Sequence, residues 1–248
     1  MQKLTAVVTG GTRGIGLGIA EALVNRGALV AVTFHNDDDA AAAAKLRLET
    51  AAADSSQVLV FNCSNANPEA IGRTYRQVLE KFGSLNVLVN NAGIMNQGSL
   101  ENVSVEEWNR TLQINLSGAF YWCSRVVPTM KVAGFGRIIN ISSVAARGGG
   151  VIGPHYAASK AGLLGLTCYA ARELGAYGIT VNAIAPAFIE DAGIFAHWSA
   201  AQLENVKKKL LVPRIGNVRD VTRAFEYLLD SDFVNGVCMD VNGGSFMI

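Results

Sequence analysis

The feature that most constrains this 248-residue chain is an alternation of two kinds of segment. Seven short apolar runs rich in β-branched residues, Leu4 to Thr9, Leu29 to Phe34, Val58 to Phe61, Val87 to Asn90, Arg137 to Ile141, Thr180 to Ile184 and Val237 to Val241, read as strands. Between them lie segments long enough for crossover helices, among them Pro68 to Phe82, Ser104 to Met130 and His155 to Leu174. Alternation of this kind predicts a parallel sheet with helices on both faces. The runs are almost wholly apolar, as strands buried on both sides require. The expected fold class is therefore α/β, a doubly wound, seven-stranded parallel sheet in a three-layer α/β/α sandwich.

Asp37 to Ala53 is alanine-rich enough to resemble low complexity, but acidic residues at its start suit the positive end of a helix dipole and alanine favours helix. We read it as a plain helix. No internal repeat or linker-like stretch divides the chain, so a single domain over residues 1–248 is expected. The irregular stretch from Ala187 to Pro213, ahead of a helix near Val218 to Leu229, is long enough to pass over a site as a lid.

With 21 basic and 20 acidic residues the net charge is +1, which excludes a general electrostatic pull toward nucleic acid or an anionic membrane. Cys63, Cys123, Cys168 and Cys238 form no metal-ligand spacing with His35, His155 and His197. They read as reduced core thiols, and no metal is expected. MQKL runs directly into an apolar strand without the succession of an export signal, and Asn182 and Pro186 interrupt the ITVNAIAPAFI region before it approaches the ~18 apolar residues of a membrane span. A cytoplasmic protein is expected.

The first strand enters the turn Thr9-Gly10-Gly11-Thr12-Arg13-Gly14-Ile15-Gly16, and a helix follows until Gly27. Glycines let backbone approach a pyrophosphate, while the amides and dipole of the following helix favour negative charge. The end of the second strand, where an acid commonly binds the adenosine ribose, holds Phe34, followed by His35 and Asn36. Arg13 could instead reach a 2′-phosphate, so NADP is preferred over NAD, with Asp37 as an alternative ribose ligand.

Tyr156 and Lys160 stand four apart at a helix start, and Ser143 precedes the tyrosine by thirteen residues at a strand end. A tyrosine hydroxyl, with a reference pKa of about 10, is a poor acid–base group at neutral pH unless a nearby ammonium favours the phenolate. A serine hydroxyl can hydrogen-bond a substrate oxygen where charge develops. Taken alone, such a pair is more often incidental.

Together these motifs resemble the single-domain short-chain dehydrogenase/reductase family over nearly the whole chain. TGGTRGIG is similar to that family's cofactor turn, Asn90-Asn91-Ala92-Gly93 to its NNAG signature, and Asn115, Ser143, Tyr156 and Lys160 to its catalytic tetrad in order and spacing. The resemblance implies a Rossmann fold. It also implies that Tyr156 protonates the alkoxide in reduction and acts as base in reverse, while Ser143 orients the carbonyl. Lys160 would hold the nicotinamide ribose hydroxyls and lower the tyrosine pKa, and the backbone of Asn115 would anchor a water linking the lysine to solvent. Asn90 would stabilise the central sheet and the cofactor turn. Cofactor contacts are expected from Gly10, Thr12, Arg13, Gly14, Ile15 and Gly16, from Phe34 and His35, from Asn62 and Cys63, from Asn91, Ala92 and Gly93, from Tyr156 and Lys160, and from Pro186, Ala187 and Ile189.

The chain departs from the family where Asn62 and Asn86 replace frequent aspartates, and where Pro186-Ala187-Phe188-Ile189 replaces a Pro-Gly pair followed by a threonine. An asparagine carbonyl can still accept the adenine amino group's hydrogen. The ending Asp240-Val241-Asn242-Gly243-Gly244 and the segment GRIINISSVAA look most like bacterial 3-oxoacyl-(acyl-carrier-protein) reductases. The expected function is NADPH-dependent reduction of a ketone to a secondary alcohol, like that of a 3-oxoacyl thioester reductase. A dehydrogenase of a sugar, polyol or other alcohol is the alternative, and a non-catalytic cofactor-binding regulator a minor one. Met95, Ala145, Gly149, Gly150, His155, Phe188, Phe195 and Trp198 are expected to line an apolar pocket. His155 reads as a surface-facing helix-start residue, with a polar handle on the substrate as the alternative. Lys207-Lys208-Lys209 and Arg214 are candidates for docking a carrier protein or are a solvated helix face. The resemblance implies a homotetramer.

Overall fold

The structure is a computed structural model that describes residues 3–190, 192, 199–208 and 210–247. Its seven strands are β1 (Thr5–Val8), β2 (Leu29–Phe34), β3 (Val58–Asn62), β4 (Val87–Asn90), β5 (Gly136–Ile141), β6 (Ile179–Pro186) and β7 (Cys238–Val241). They form one sheet in the order β3-β2-β1-β4-β5-β6-β7, and every pairing is parallel. The helices are α1 (Gly14–Asn25), α2 (Asp38–Ala51), α3 (Pro68–Phe82), α4 (Val105–Leu112), α5 (Gly118–Ala133), α6 (Ala145–Gly148), α7 (Pro154–Leu174), α8 (Ala200–Lys207) and α9 (Val218–Asp230).

Strand pleating divides the apolar residues between two cores. Ala6, Val8, Val30, Val32, Val89 and Ile139 pack with Ile19 and Leu23 of α1 and Phe225 and Leu228 of α9. Val7, Ala31, Leu88, Ile138 and Val181 face the other way, against Ile71 and Val78 of α3, Trp122 and Val126 of α5 and Leu174 of α7. The expected burial of both faces is therefore present. Local chemistry sets the helix ends: the Asp37 side chain accepts from the Ala40 amide at the start of α2, and Asn67 does the same for Ala70 ahead of Pro68 in α3.

Two expectations change. The segment read as one helix from Ser104 to Met130 is α4 and α5 joined by a π-helical turn over Gln113–Ser117. Cys63 and Cys123 are buried and Cys238 is partly so, but Cys168, on the outer side of α7, is exposed and not a core thiol. In the stretch 187–213, Ile189 bridges to Gly216, and the amides of Leu211 and Val212 both donate to the Gly243 carbonyl near the chain's end. Among the described residues no helix is long and apolar enough to cross a membrane, and no cluster of His, Cys, Asp or Glu is placed to hold a metal.

Candidate active site

Strand order reverses between β1 and β4, which leaves a crevice beyond their C-terminal ends where open α/β sheets take their ligands. There the chain forms a cleft of about 410 Å³, lined by the C-terminal ends of the strands and the residues just past them, with Arg110 of α4, Ile114 of the π turn and Tyr156 and Lys160 of α7. One end is the glycine turn with Phe34 to Asp37, and the other holds Ser143, Tyr156 and Lys160.

The turn is pinned from β4. Asn91 Nδ2 donates to the carbonyls of Thr9 at 2.9 Å and Gly10 at 3.0 Å, and Thr9 Oγ1 accepts from the amides of Asn91 and Ala92 at 3.0 Å each. Gly10 sits at φ +61°, in the left-handed region that favours glycine. A Cβ on Gly16 would fall 2.4 Å from the Gly10 carbonyl oxygen, so this glycine lets α1 close against the turn. Gly16 accordingly lies behind the cleft wall, whereas Gly10, Thr12, Arg13, Gly14 and Ile15 line it. Asn90 does not hold the turn as expected: its Nδ2 donates to Asn140 Oδ1 at 2.8 Å, and Asn140 donates to Thr167 of α7 at 2.8 Å. That network ties the sheet to the helix carrying Tyr156.

At the far end, Arg13 and Asp37 form an ion pair at 2.9 Å, the guanidinium side chain being 77% exposed. Phe34, His35, Cys63, Asn91, Ala92, Gly93, Pro186, Ala187 and Ile189 line the cleft, but Asn62 does not: it is exposed, and Cys63, Ser64 and Asn65 take its place on the wall. Asn86, the other aspartate replacement, is buried and structural, accepting from the Thr5 amide and donating to the Lys3 carbonyl.

The catalytic candidates converge. Burial pushes the Tyr156 hydroxyl above its ordinary value, and a hydrogen bond with Ser143 opposes the rise. The expected lowering by Lys160 is not seen. The lysine Nζ stands 5.7 Å from the tyrosine ring centre and donates to the Ile141 carbonyl at 2.7 Å. Burial brings Lys160 itself down to about 8, because a charged ammonium loses its hydration there. Asn115 lies in the π turn behind the cleft. Its side chain accepts from the Ile94 amide at 2.8 Å, donates to the Ile94 carbonyl at 2.9 Å, and reaches Ser159 Oγ at 3.1 Å. π turns of this kind occur often at functional sites.

The Ser143 end of the cleft has an apolar wall of Ile94, Met95, Val144, Ala145, Ile152, Phe188 and Ile189, together with Gly150. Gly149 and His155, expected there, are not part of it. His155 is also not surface-facing. It is fully buried, with neither ring nitrogen hydrogen-bonded and Nε2 4.0 Å from Glu107 Oε1. The loop at Gly98 and the turn at Gly153 pack over its ring. Phe195, Trp198 and Lys209 lie outside the described residues. Of the candidate docking cations, Lys207 pairs with Glu204 at 3.5 Å and Arg214 with Asp220 at 2.6 and 2.8 Å, so charge on both is locally compensated.

Sequence reasoning missed Asn65 and the pairing of Arg13 with Asp37. Asn65 lies two residues beyond Cys63 with no motif to mark it. Asp37 was visible as a helix-start acid, but its reach to Arg13 depends on how the ends of β1 and β2 sit side by side.

Comparison with known proteins agrees with this architecture. The short chain dehydrogenase family profile matches residues 4–202. The 3-oxoacyl-(acyl-carrier-protein) reductase FabG of Haemophilus influenzae is 34% identical over 249 residues and all of both chains. The enzyme of the same name from Staphylococcus aureus is 34% identical over 98% of each chain, and an uncharacterized short-chain type dehydrogenase/reductase of Sinorhizobium fredii is 36% identical over 97% of this chain and 96% of that one. A crystal structure of a short chain dehydrogenase from Bacillus anthracis superposes with a TM-score of 0.88 at 31% identity, covering 99% of this chain and 97% of the other. With fold, full-length similarity and family profile in agreement, the chain belongs to the short-chain dehydrogenase/reductase family of NAD(P)-dependent oxidoreductases.

Proposed function

We propose that the protein uses NADPH to reduce the ketone of an uncharged, apolar substrate, a 3-oxoacyl thioester or a small hydrophobic ketone, to a secondary alcohol. One observation carries this reading: a buried Tyr156 hydroxyl faces Ser143 at the apolar end of a cleft whose other end is the glycine turn. The residues present fit a nicotinamide dinucleotide. A glycine turn in which a Cβ on Gly11 or Gly16 would strike its neighbours leads into the start of α1, and one continuous cleft joins it to Tyr156 and to Pro186, Ala187 and Ile189.

The nicotinamide, when bound, supplies the hydride. Tyr156 donates its hydroxyl proton to the carbonyl oxygen, and Ser143 orients that oxygen with its own hydroxyl. The hydroxyl, at or above its ordinary value, carries at neutral pH the proton that reduction consumes. A sugar would find few polar partners on the apolar wall. That favours ketone reduction over the sugar or polyol dehydrogenase reading. Lys160, whose Nζ donates to the Ile141 carbonyl, would hold the ribose hydroxyls, and Asn115 would lie on the route by which the tyrosine regains its proton.

Two features support NADPH. Phe34 replaces the acid that favours NAD, and Asp37 engages one nitrogen of Arg13, leaving further guanidinium donors for a 2′-phosphate. Residues 187–213 would act as the lid. Exposed Trp108, Phe120 and Tyr169 on α4, α5 and α7 support self-association into a homotetramer.

The test is NADPH and NADH oxidation with an acetoacetyl thioester, with Tyr156→Phe alongside. Turnover with NADPH that drops at least ~100-fold in the variant is expected. Turnover indifferent to Tyr156, or activity confined to oxidation of sugars or polyols, would overturn the reading.

A further inference from the structure

The π turn needs an explanation, since a slip from four-residue to five-residue hydrogen bonding leaves a backbone carbonyl without its helical partner. The amide of Gly118 donates five residues back, to Gln113. In a continuous α-helix it would serve Ile114. The Ile114 carbonyl is met instead by Asn65 Nδ2 at 2.7 Å, from the loop after β3.

Asn65 is itself held. It is buried, and its Oδ1 accepts from the indole Nε1 of Trp122 at 3.1 Å, with that tryptophan fully buried in α5. A Cβ at Gly118 would come within 2.2 Å of Asn65 Nδ2 and 2.4 Å of its carbonyl oxygen, so helix and loop meet without room for a side chain. On the opposite side of the turn, Asn115 holds both backbone atoms of Ile94 and donates to Ser159, whose hydroxyl donates to the Tyr156 carbonyl at 2.7 Å.

We propose that Asn65 is a positioning residue for the reaction: by capturing the Ile114 carbonyl it fixes the π turn that sets Asn115 against Ile94 and Ser159, and through Ser159 the turn of α7 that carries Tyr156. Asn65 also lines the cleft far from Tyr156, so its effect on the chemical step runs through these residues, and the kinetic part of the inference rests on the ketoreductase reading.

The experiment compares Asn65→Leu, Asn65→Ser and Trp122→Phe with wild type. Asn65→Leu has similar bulk and no polar atom, Asn65→Ser is a milder change should the first not fold, and Trp122→Phe removes the indole donor while leaving the Asn65 to Ile114 bond. Amide hydrogen exchange is measured across 112–119 on the protein alone, beside kcat and KM for NADPH and the acetoacetyl thioester. In the Asn65 variants exchange at 115–119 rises about 10-fold or more and kcat at saturating NADPH falls about 10-fold with the KM for the thioester within about 2-fold, whereas Trp122→Phe keeps kcat within about 3-fold. Unchanged exchange at 115–119, unchanged kcat, or a loss spread equally over kcat, the KM for the thioester and the exchange of the whole chain would overturn the proposal. A wild type that reduces no ketone would sink the ketoreductase reading, while exchange still decides whether Asn65 fixes the turn.

Discussion

Replacing Lys160 with methionine should abolish turnover and yet stabilise the fold at neutral pH. The residue is 5% exposed, and its Nζ donates to the Ile141 carbonyl at 2.7 Å. Burial takes its pKa from 10.5 to about 8. At about 1.4 kcal/mol per pKa unit, that depression means the charged form weakens folding by about 3 kcal/mol below pH 8. The sign follows from proton counting: between about pH 8 and 10.5 the unfolded chain binds the proton that the folded chain has shed, so wild-type stability rises with pH across that window. Methionine removes the charge but leaves Ile141 without its donor, a loss of about 1–2 kcal/mol, so the net gain at pH 7 is about 1–2 kcal/mol. For a chain of this length that is about 2–8 °C in Tm. Above pH 10 the gain should vanish or reverse, because the neutral amine of wild type still donates to Ile141. Thermal melts from pH 6 to 10.5 at fixed protein concentration provide the test. A variant no more stable than wild type at pH 7, or a difference that does not change with pH, would refute the reasoning.

Gly16→Ala drives a methyl group to 2.4 Å from the Gly10 carbonyl and 2.5 Å from Asn91 Nδ2, so both must shift. We expect destabilisation of about 1–3 kcal/mol and at least ~10-fold weaker NADPH binding by fluorescence titration, and wild-type affinity would contradict the turn's role. Arg13→Ala should weaken NADPH about 10-fold or more while leaving NADH within about 2-fold, and equal losses for both would refute the 2′-phosphate assignment.

Much of this architecture is legible in the sequence because it is local. Seven β-branched runs mark seven strands, and the strand-turn-helix pattern at Gly10 to Gly16 places a dinucleotide turn without tertiary information. Tyr156 and Lys160 can be paired on paper because a four-residue spacing puts them on one helix face. The π turn is different. The stretch from Ser104 to Met130 keeps a helical pattern of apolar residues on both sides of it, and a one-residue slip is too small to read from periodicity. What stabilises the slip is a carbonyl partner 49 residues away, on Asn65.

Side-chain environment is the part that sequence spacing leaves open. His155 looks like a polar helix-start residue until the loop at Gly98 and the turn at Gly153 pack over it. Lys160 looks like the group that lowers the tyrosine until its ammonium is found on Ile141 and burial is seen to act on both residues in opposite directions. The chain by itself determined its strands, its glycine turn and the order of its chemical groups, since these rest on backbone preferences and hydrophobic period. Only the tertiary structure decided which polar atoms lose water and which partners replace it, because desolvation is set by everything that packs around a group and not by its neighbours in sequence.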